Sequence, residues 1–393
     1  MQKSQTRRIA IIVPGGVGET PEGGKPLAPL ANLLARIAKE FGVTVYSLSR
    51  VLPAAPLSGG PVFRLRAAPG RHGDPLPARM ARLAGLLLKD HFTERYCLVH
   101  GFWAFPAGFL AVMLGKLLRI PSIVSLQGGE AACVPQIRYG NMYHPRLKKI
   151  TLWTCRRAGE LTALTRFQEQ ELRRFGLERE GIRIIPYGAE AQFYPPGEKK
   201  LLPPYRFLHV GNLTEVKDQP TLLRTFARVS REAACELRIV GPDYLNGELQ
   251  SLAAELGIAG KVAFTGHLSH AELPAHYQWA QALLHTSYYE GQGIVIAEAA
   301  AAGVAIAGTA VGLIADLGES CAVAAPVGDD KMLAEKLLFL LRRPEEWENI
   351  RRNAREWALQ HDAEWTAGEF LTLYQRALEG GKAVFSAGFK DFP

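Results

Sequence analysis

Three side chains in the second half of the sequence have the types and settings that chemistry requires: Lys217, Glu290 and Glu298. The two acids stand eight residues apart in EGQGIVIAEAAAAGVAIAGT, which runs from Glu290 to Thr309. Glu290 follows ALLHTSYY, a strand and its loop, and Gly291, Gln292 and Gly293 then lead into a helix that begins at Ile294. A carboxylate in a glycine-rich loop offers sugar hydroxyls an oriented acceptor. Glu298 lies more than a turn inside that helix, among Val295, Ile296, Ala297, Ala299 and Ala300. An acid with such neighbours needs a ligand or a partner. Lys217 belongs to FLHVGNLTEVKDQPTLLRTF, where a strand ends in a turn at Gly211 and a helix starts near Asp218 with Pro220 in its first turn. An ammonium beside free helix amides suits a diphosphate, one supplying a point charge and the other directed donors. Taken alone, this lysine reads better as a solvated surface residue.

A further loop, PGGVGETPEGG, with Gly15, Gly16 and Gly18, joins the first strand to a helix and lets a ligand come close to backbone amides. It lacks the G-x-G-x-x-G spacing, and Glu19 and Glu22 would repel a pyrophosphate, so a dinucleotide site is a poor fit. A plain strand-to-helix connection remains the alternative.

The elements that must position these residues alternate along the chain. RIAIIV, VTVYSL, YCLVHG, SIVSLQ, ELTALT and IRIIPYG read as short strands between amphipathic helices. After Gly188 the text loosens into AEAQFYPPGEKKLLPPYR, a linker by its prolines and charges. The alternation restarts with RFLHVGN, ELRIVG, VAFTG, ALLHTS and VAIAGT and ends in helices. The fold class expected is α/β: two Rossmann-like, doubly wound parallel sheets facing a central cleft, with ligands outside the carboxyl ends of the strands. The expected domains are 1–188, a linker 189–204, 205–362, and a helix with a tail over 363–393.

With 393 residues, 48% apolar and 21% charged, the chain can fill two cores, and disorder is excluded. Five scattered cysteines without a C-x-x-C pair argue against disulfide or zinc frameworks. IAIIV is too short for a signal core, and no apolar run spans a bilayer unbroken, so a cytoplasmic place is expected. Charge is uneven: residues 1–190 carry 27 Lys and Arg against 13 Asp and Glu, and residues 191–393 carry 19 against 25. The basic half points to an anionic partner such as the inner face of a membrane, a lipid-linked diphosphate or an acidic glycan. Arg138 to Arg183, with Trp153, Phe167 and Phe175 interspersed, would form an amphipathic docking face or a solvated basic one. No motif supports nucleic acid as a partner.

E-x7-E at Glu290 and Glu298, G-x-L-x-x-x-K from Gly211 to Lys217, and the glycine loop at Gly15–Gly18 together resemble the family-four retaining glycosyltransferases of GT-B architecture. The resemblance covers nearly the whole chain. It implies a nucleotide-sugar donor held by Gly211, Asn212, Lys217, Glu290, Gly291, Gln292, Gly293, Ile294 and Glu298, with Glu290 at the sugar, Glu298 at the ribose and Lys217 at the diphosphate. It implies no metal or other cofactor, a glycan or lipid-linked acceptor, and a final helix that crosses back to the first domain. Two positions depart from the family: Asn212 stands where an arginine is common, and VSLQGGE places Gln127 at a histidine and Glu130 at an acid. Gln127 cannot take a proton at neutral pH. His100 joins Gln127 and Glu130 as an acceptor-side candidate, although a histidine satisfied within the core is the favoured reading of it. Two other functions stay open: a catalytically silent sugar-nucleotide-binding subunit, motivated by Asn212 and Gln127, and a nucleotide-sugar epimerase, which shares the architecture.

Overall fold

The runs at residues 9–13 and 282–284 are apolar throughout, as a strand covered on both faces must be, and both lie inside parallel sheets. The computed structural model describes residues 7–15, 17, 27–49, 63–67, 73–195 and 199–380. The first sheet comprises β1 (Arg8–Val13), β2 (Gly42–Ser47), β3 (Arg64–Ala67), β4 (Leu98–Phe102), β5 (Ser122–Ser125), β6 (Glu160–Ala163) and β7 (Arg183–Ile184). Its order is β3-β2-β1-β4-β5-β6-β7, with every pair parallel. The second comprises β8 (Tyr205–Val210), β9 (Cys235–Val240), β10 (Val262–Gly266), β11 (Ala282–His285), β12 (Ala305–Thr309) and β13 (Val323–Ala325). Its order is β10-β9-β8-β11-β12-β13, again parallel throughout. In each sheet the order reverses beside the first strand, between β1 and β4 and between β8 and β11. Loops diverge there and leave a crevice.

Several elements escaped the periodicity: β3, whose RLRA is half charged, β13, and the helix Leu76–Glu94. Helices on both faces bury apolar clusters, two against the second sheet and three against the first. Phe370, Leu373 and Tyr374 of the last helix, Ala363–Gly380, enter the cluster of the first sheet, where they pack with residues of the helix Ala28–Ile37. The chain therefore crosses between sheets twice. The two crossings are stapled to one another. Thr366 Oγ1 donates to Pro186 O at 2.8 Å and accepts from Gly188 N at 2.9 Å, and Ala363 N donates to Ala189 O at 3.1 Å. A Cβ on Gly188 would lie 2.1 Å from the carbonyl carbon of Asp362, so only glycine lets the crossings run this close.

Candidate active site

The ends of β8 and β11 are neighbours at the reversal of the second sheet, and the loops after them carry Lys217 and Glu290. Lys217 closes a single 3₁₀ turn, Glu215–Lys217, ahead of the helix Gln219–Glu232. The loop after β11 is pinned from both sides. Thr286 Oγ1 donates to Asp218 O at 2.8 Å, and Ser287 N donates to Thr309 Oγ1 at 2.9 Å. Gly312, at φ +55°, passes over this loop so closely that a Cβ there would lie 2.6 Å from Gln292 O and 2.7 Å from Glu290 Cβ.

These constraints bring Lys217 Nζ and Glu290 Oε1 into an ion pair, with side chains 22% and 11% exposed. The same Oε1 meets His285 Nε2 at 2.9 Å and accepts from Ser287 Oγ at 2.8 Å. Burial on its own would raise the Glu290 carboxyl. The Lys217 charge and the His285 hydrogen bond outweigh it and hold the group well below the usual carboxylate range. An ionised carboxylate only accepts, so His285 Nε2 carries the proton. Its ring stacks on that of His209, with centroids 5.5 Å apart. Burial pushes His209 down to about 3, which leaves that ring neutral. The site thus holds an anion and a cation side by side in a crevice.

The other donor-side candidates divide. Gly211 is half-buried beside His209, Asn212 is exposed, and Gly293 and Ile294 sit half-buried where the helix Ile294–Ala301 begins. Gln292 turns away from the crevice: its Oε1 accepts from Tyr187 N at 2.8 Å and its Nε2 donates to Tyr187 O at 2.7 Å, which ties the loop to the first crossing. Gly291 is buried, and its carbonyl accepts from Thr165 Oγ1 of the first domain at 2.7 Å. Glu298, 2% exposed, has found protein partners. It accepts from Tyr277 OH at 2.7 Å and meets His270 Nε2 at 3.1 Å. Lys217 and Glu290 are thus brought together directly, whereas Glu298 is engaged with side chains from the helix Leu273–Trp279 and the loop after β10.

On the first domain, two expectations need correcting. His100 is fully buried, with Nδ1 2.8 Å from Tyr374 OH and Nε2 2.8 Å from Ser125 Oγ, and burial pushes it down to about 3. Both ring nitrogens serve the core that docks the last helix, so His100 does not face an acceptor. Glu130, 3% exposed, accepts backbone hydrogen bonds from Gly128 at 2.6 Å, Gln127 at 3.0 Å and Ala104 at 3.3 Å. It shapes the loop and does not reach into the cleft. Gln127 is half-buried at the cleft, where its Oε1 accepts from Tyr187 OH at 2.7 Å. Gly15 follows Pro14, whose carbonyl accepts twice from Ser49. Gly16 and Gly18 lie outside the described residues.

The sequence places His285 at the end of a strand and gives no sign that it meets Glu290. Its proximity to Glu290 depends on how the four residues between them fold back. Thr165, Asp316 and Tyr187 were missed because their partners are more than 100 positions away. Tyr139 was missed as well. Burial, with the Glu290 charge next, pushes its phenol up to about 12, which places it within the electrostatic reach of Glu290.

Two family models match the chain one after the other: "Glycosyl transferase 4-like domain" over residues 28–188 and "Glycosyl transferases group 1" over residues 193–357. A 2-deoxystreptamine glucosyltransferase of Streptomyces kanamyceticus is 25% identical over 387 residues, covering 88% of this chain and 97% of the relative. An MMP alpha-(1->4)-mannosyltransferase of Mycolicibacterium hassiacum is 27% identical over 210 residues, 52% of this chain, and there the match spans only 50% of the relative's length. Among solved structures, a sucrose-phosphate synthase from Thermosynechococcus elongatus superposes with a TM-score of 0.77 at 20% identity, over 95% of this chain and 100% of its own. Anabaena HepE in complex with UDP and glucose gives 0.73 at 18% identity, over 94% and 99%.

Proposed function

The chain belongs to the glycosyltransferases, its halves matching the 4-like and group 1 models of that class on a GT-B fold, and from that premise we propose that it moves a sugar from a nucleotide-sugar donor to an acceptor hydroxyl with retention at the anomeric carbon. The observation that carries this reading is the Lys217–Glu290 pair at the strand-order reversal of the second sheet. An ammonium there neutralises a departing diphosphate, and an adjacent carboxylate orients sugar hydroxyls. In the transfer, the bond from the anomeric carbon to the diphosphate oxygen breaks and the bond to the acceptor oxygen forms on the same face. The acceptor proton passes to the departing phosphate oxygen, so no imidazole at position 127 is required. Lys217 stabilises the charge that develops on the diphosphate. Asn212 leaves one positive charge fewer there than the family pattern has, and this makes Lys217 the principal cation.

Glu298 remains our candidate for the ribose, with Tyr277 and His270 fixing its carboxylate beforehand. Solved relatives of this fold hold UDP, which makes UDP-sugars the first donors to test. For the acceptor we propose a glycan or lipid-linked hydroxyl approached through charge. The helix Pro145–Arg157 exposes Arg146, Lys149, Arg156 and Arg157, while Trp153 packs on Phe109 with ring centroids 5.4 Å apart. The aromatic side chains of this region face inward, and a membrane contact would be electrostatic. No helix among the described residues is long and apolar enough to cross a membrane.

The test is a thermal-shift panel of UDP-, GDP-, ADP- and TDP-sugars followed by NMR of the product's anomeric proton. Stabilisation by one nucleotide class and a product with the donor's anomeric configuration are the expected results. An inverted product would overturn retention, and no response to any of the four would overturn the donor assignment.

A further inference from the structure

The groups around Glu290 are distributed unequally between its two oxygens. Lys217 Nζ, His285 Nε2 and Ser287 Oγ all meet Oε1, and no described residue donates to Oε2. If Lys217 serves a diphosphate, it cannot also hold the carboxylate at full strength, because an ammonium is one point charge and a diphosphate is the more highly charged anion. We propose that His285 is a positioning residue which, together with Ser287, keeps Glu290 in place when the donor's diphosphate draws Lys217 away, so that Oε2 stays presented to the sugar. This inference rests on the donor-site reading above.

The geometry of His285 fits an anchor. The residue is 1% exposed and ends β11, the strand beside β8 at the reversal. Its ring lies on that of His209, interplanar angle 21°, and His209 is itself held by Leu284 O at 3.1 Å. Nδ1 is buried without a partner, so every polar contact of the ring goes to Glu290 and Ser287. A buried nitrogen left unsatisfied lowers stability, and such a group in a native fold calls for a reason. Ordinary core packing would be better served by an apolar ring. Fixing Glu290 supplies the reason.

Two measurements test the anchor. In the wild-type protein, ¹⁵N NMR of labelled histidine should show His285 protonated at Nε2, and inorganic pyrophosphate should leave that proton hydrogen-bonded while the Lys217 ammonium signal shifts. An Nδ1-protonated ring, or loss of the Nε2 hydrogen bond on adding pyrophosphate, would overturn the proposal without touching the donor assignment. In kinetics with the donor found by the panel, His285→Phe keeps the ring and removes the donor hydrogen. It should lower kcat about 10- to 100-fold through misplacement of Glu290, leave the stabilisation by pyrophosphate unchanged, and be largely rescued in His285→Gln. Unchanged kcat in His285→Phe, or equal losses in kcat and pyrophosphate binding, would sink the anchoring role.

Discussion

At the scale of single residues, Glu290 is a carboxylate kept ionised where burial alone would favour its neutral form. The cause is Lys217, helped by His285, and linkage gives this a measurable consequence. Its folded pKa lies below the unfolded value of about 4.3. The pair therefore contributes stability that is fully present above that value and is lost as pH falls through the carboxylate range toward the depressed folded pKa. Glu290→Gln should flatten the acid side of the stability curve, seen as a shallower fall of the urea midpoint between neutral and acid pH. Lys217→Met should have two effects. Transfer should drop about 100- to 1,000-fold, the usual loss when one preorganised charge is removed from a developing anion, and the Glu290 carboxyl should rise because the largest effect opposing burial is gone. A variant with undiminished kcat would remove Lys217 from the mechanism. Glu298 makes a different case, since its two oxygens are already occupied by Tyr277 and His270. Glu298→Ala leaves the buried Tyr277 hydroxyl only the long contact to Val295 O at 3.4 Å and should cost about 1–3 kcal/mol in chemical denaturation. Glu298→Gln still accepts from Tyr277, so it separates the structural loss from a donor effect: a raised donor KM with stability nearly intact is the expected outcome.

At the scale of elements, the parts of this molecule that depend on near neighbours in sequence were open to reading. Apolar strands such as RIAIIV, the glycine turn before Lys217 and the helix begun at Ile294 are set by local sterics and burial, and the structure has them where their residues imply. RLRA carried no such signal, because an edge strand need not be apolar, and β3 pairs only with β2. The tie between domains was unreadable for a different reason. The helix Arg166–Arg174 begins with Thr165, whose side chain accepts from Gln168 N at 3.1 Å, a cap that a local rule identifies. Its next two free amides, Arg166 N and Phe167 N, donate to Asp316 at 2.6 Å and 2.9 Å, and that carboxylate comes from the second domain, 150 positions later. Thr165 also donates to Gly291 O, in the loop after Glu290. The contact between the domains is thereby written into a helix cap. Asp316→Ala should weaken this contact between the domains by about 0.5–2 kcal/mol, the range for a carboxylate at a helix N-terminus. An increase in the radius of gyration by small-angle scattering is the sign to look for, with the melting of each domain little changed.

For the whole molecule, the question is what keeps two independently cored domains in one relative arrangement when only two stretches of chain join them. The sequence shows both stretches but not that they touch. Arg36, on the helix Ala28–Ile37, donates from Nη1 and Nη2 to the Glu190 carboxylate at 3.0 Å and 2.7 Å, and from Nε to Glu364 at 2.8 Å. Glu190 stands just past the first crossing and Glu364 just past the second, so one guanidinium grips both. Asn32 Nδ2 adds a bond to Glu190 at 2.9 Å. Arg36 and Glu190 are 18% and 17% exposed, so their pair is only partly screened, whereas Glu364, at 69%, is an outer contact of small weight. Planar, two-pronged recognition is a property of arginine, and a lysine would reproduce its charge but not its fork. Arg36→Lys should therefore loosen the hinge while keeping the net charge. The helix Ala363–Gly380 should exchange its amide hydrogens faster than in the wild type, because its docking onto the first domain is stapled through this clamp. Exchange confined to wild-type rates in that helix would mean that the apolar contacts of Phe370, Leu373 and Tyr374 hold the crossing by themselves.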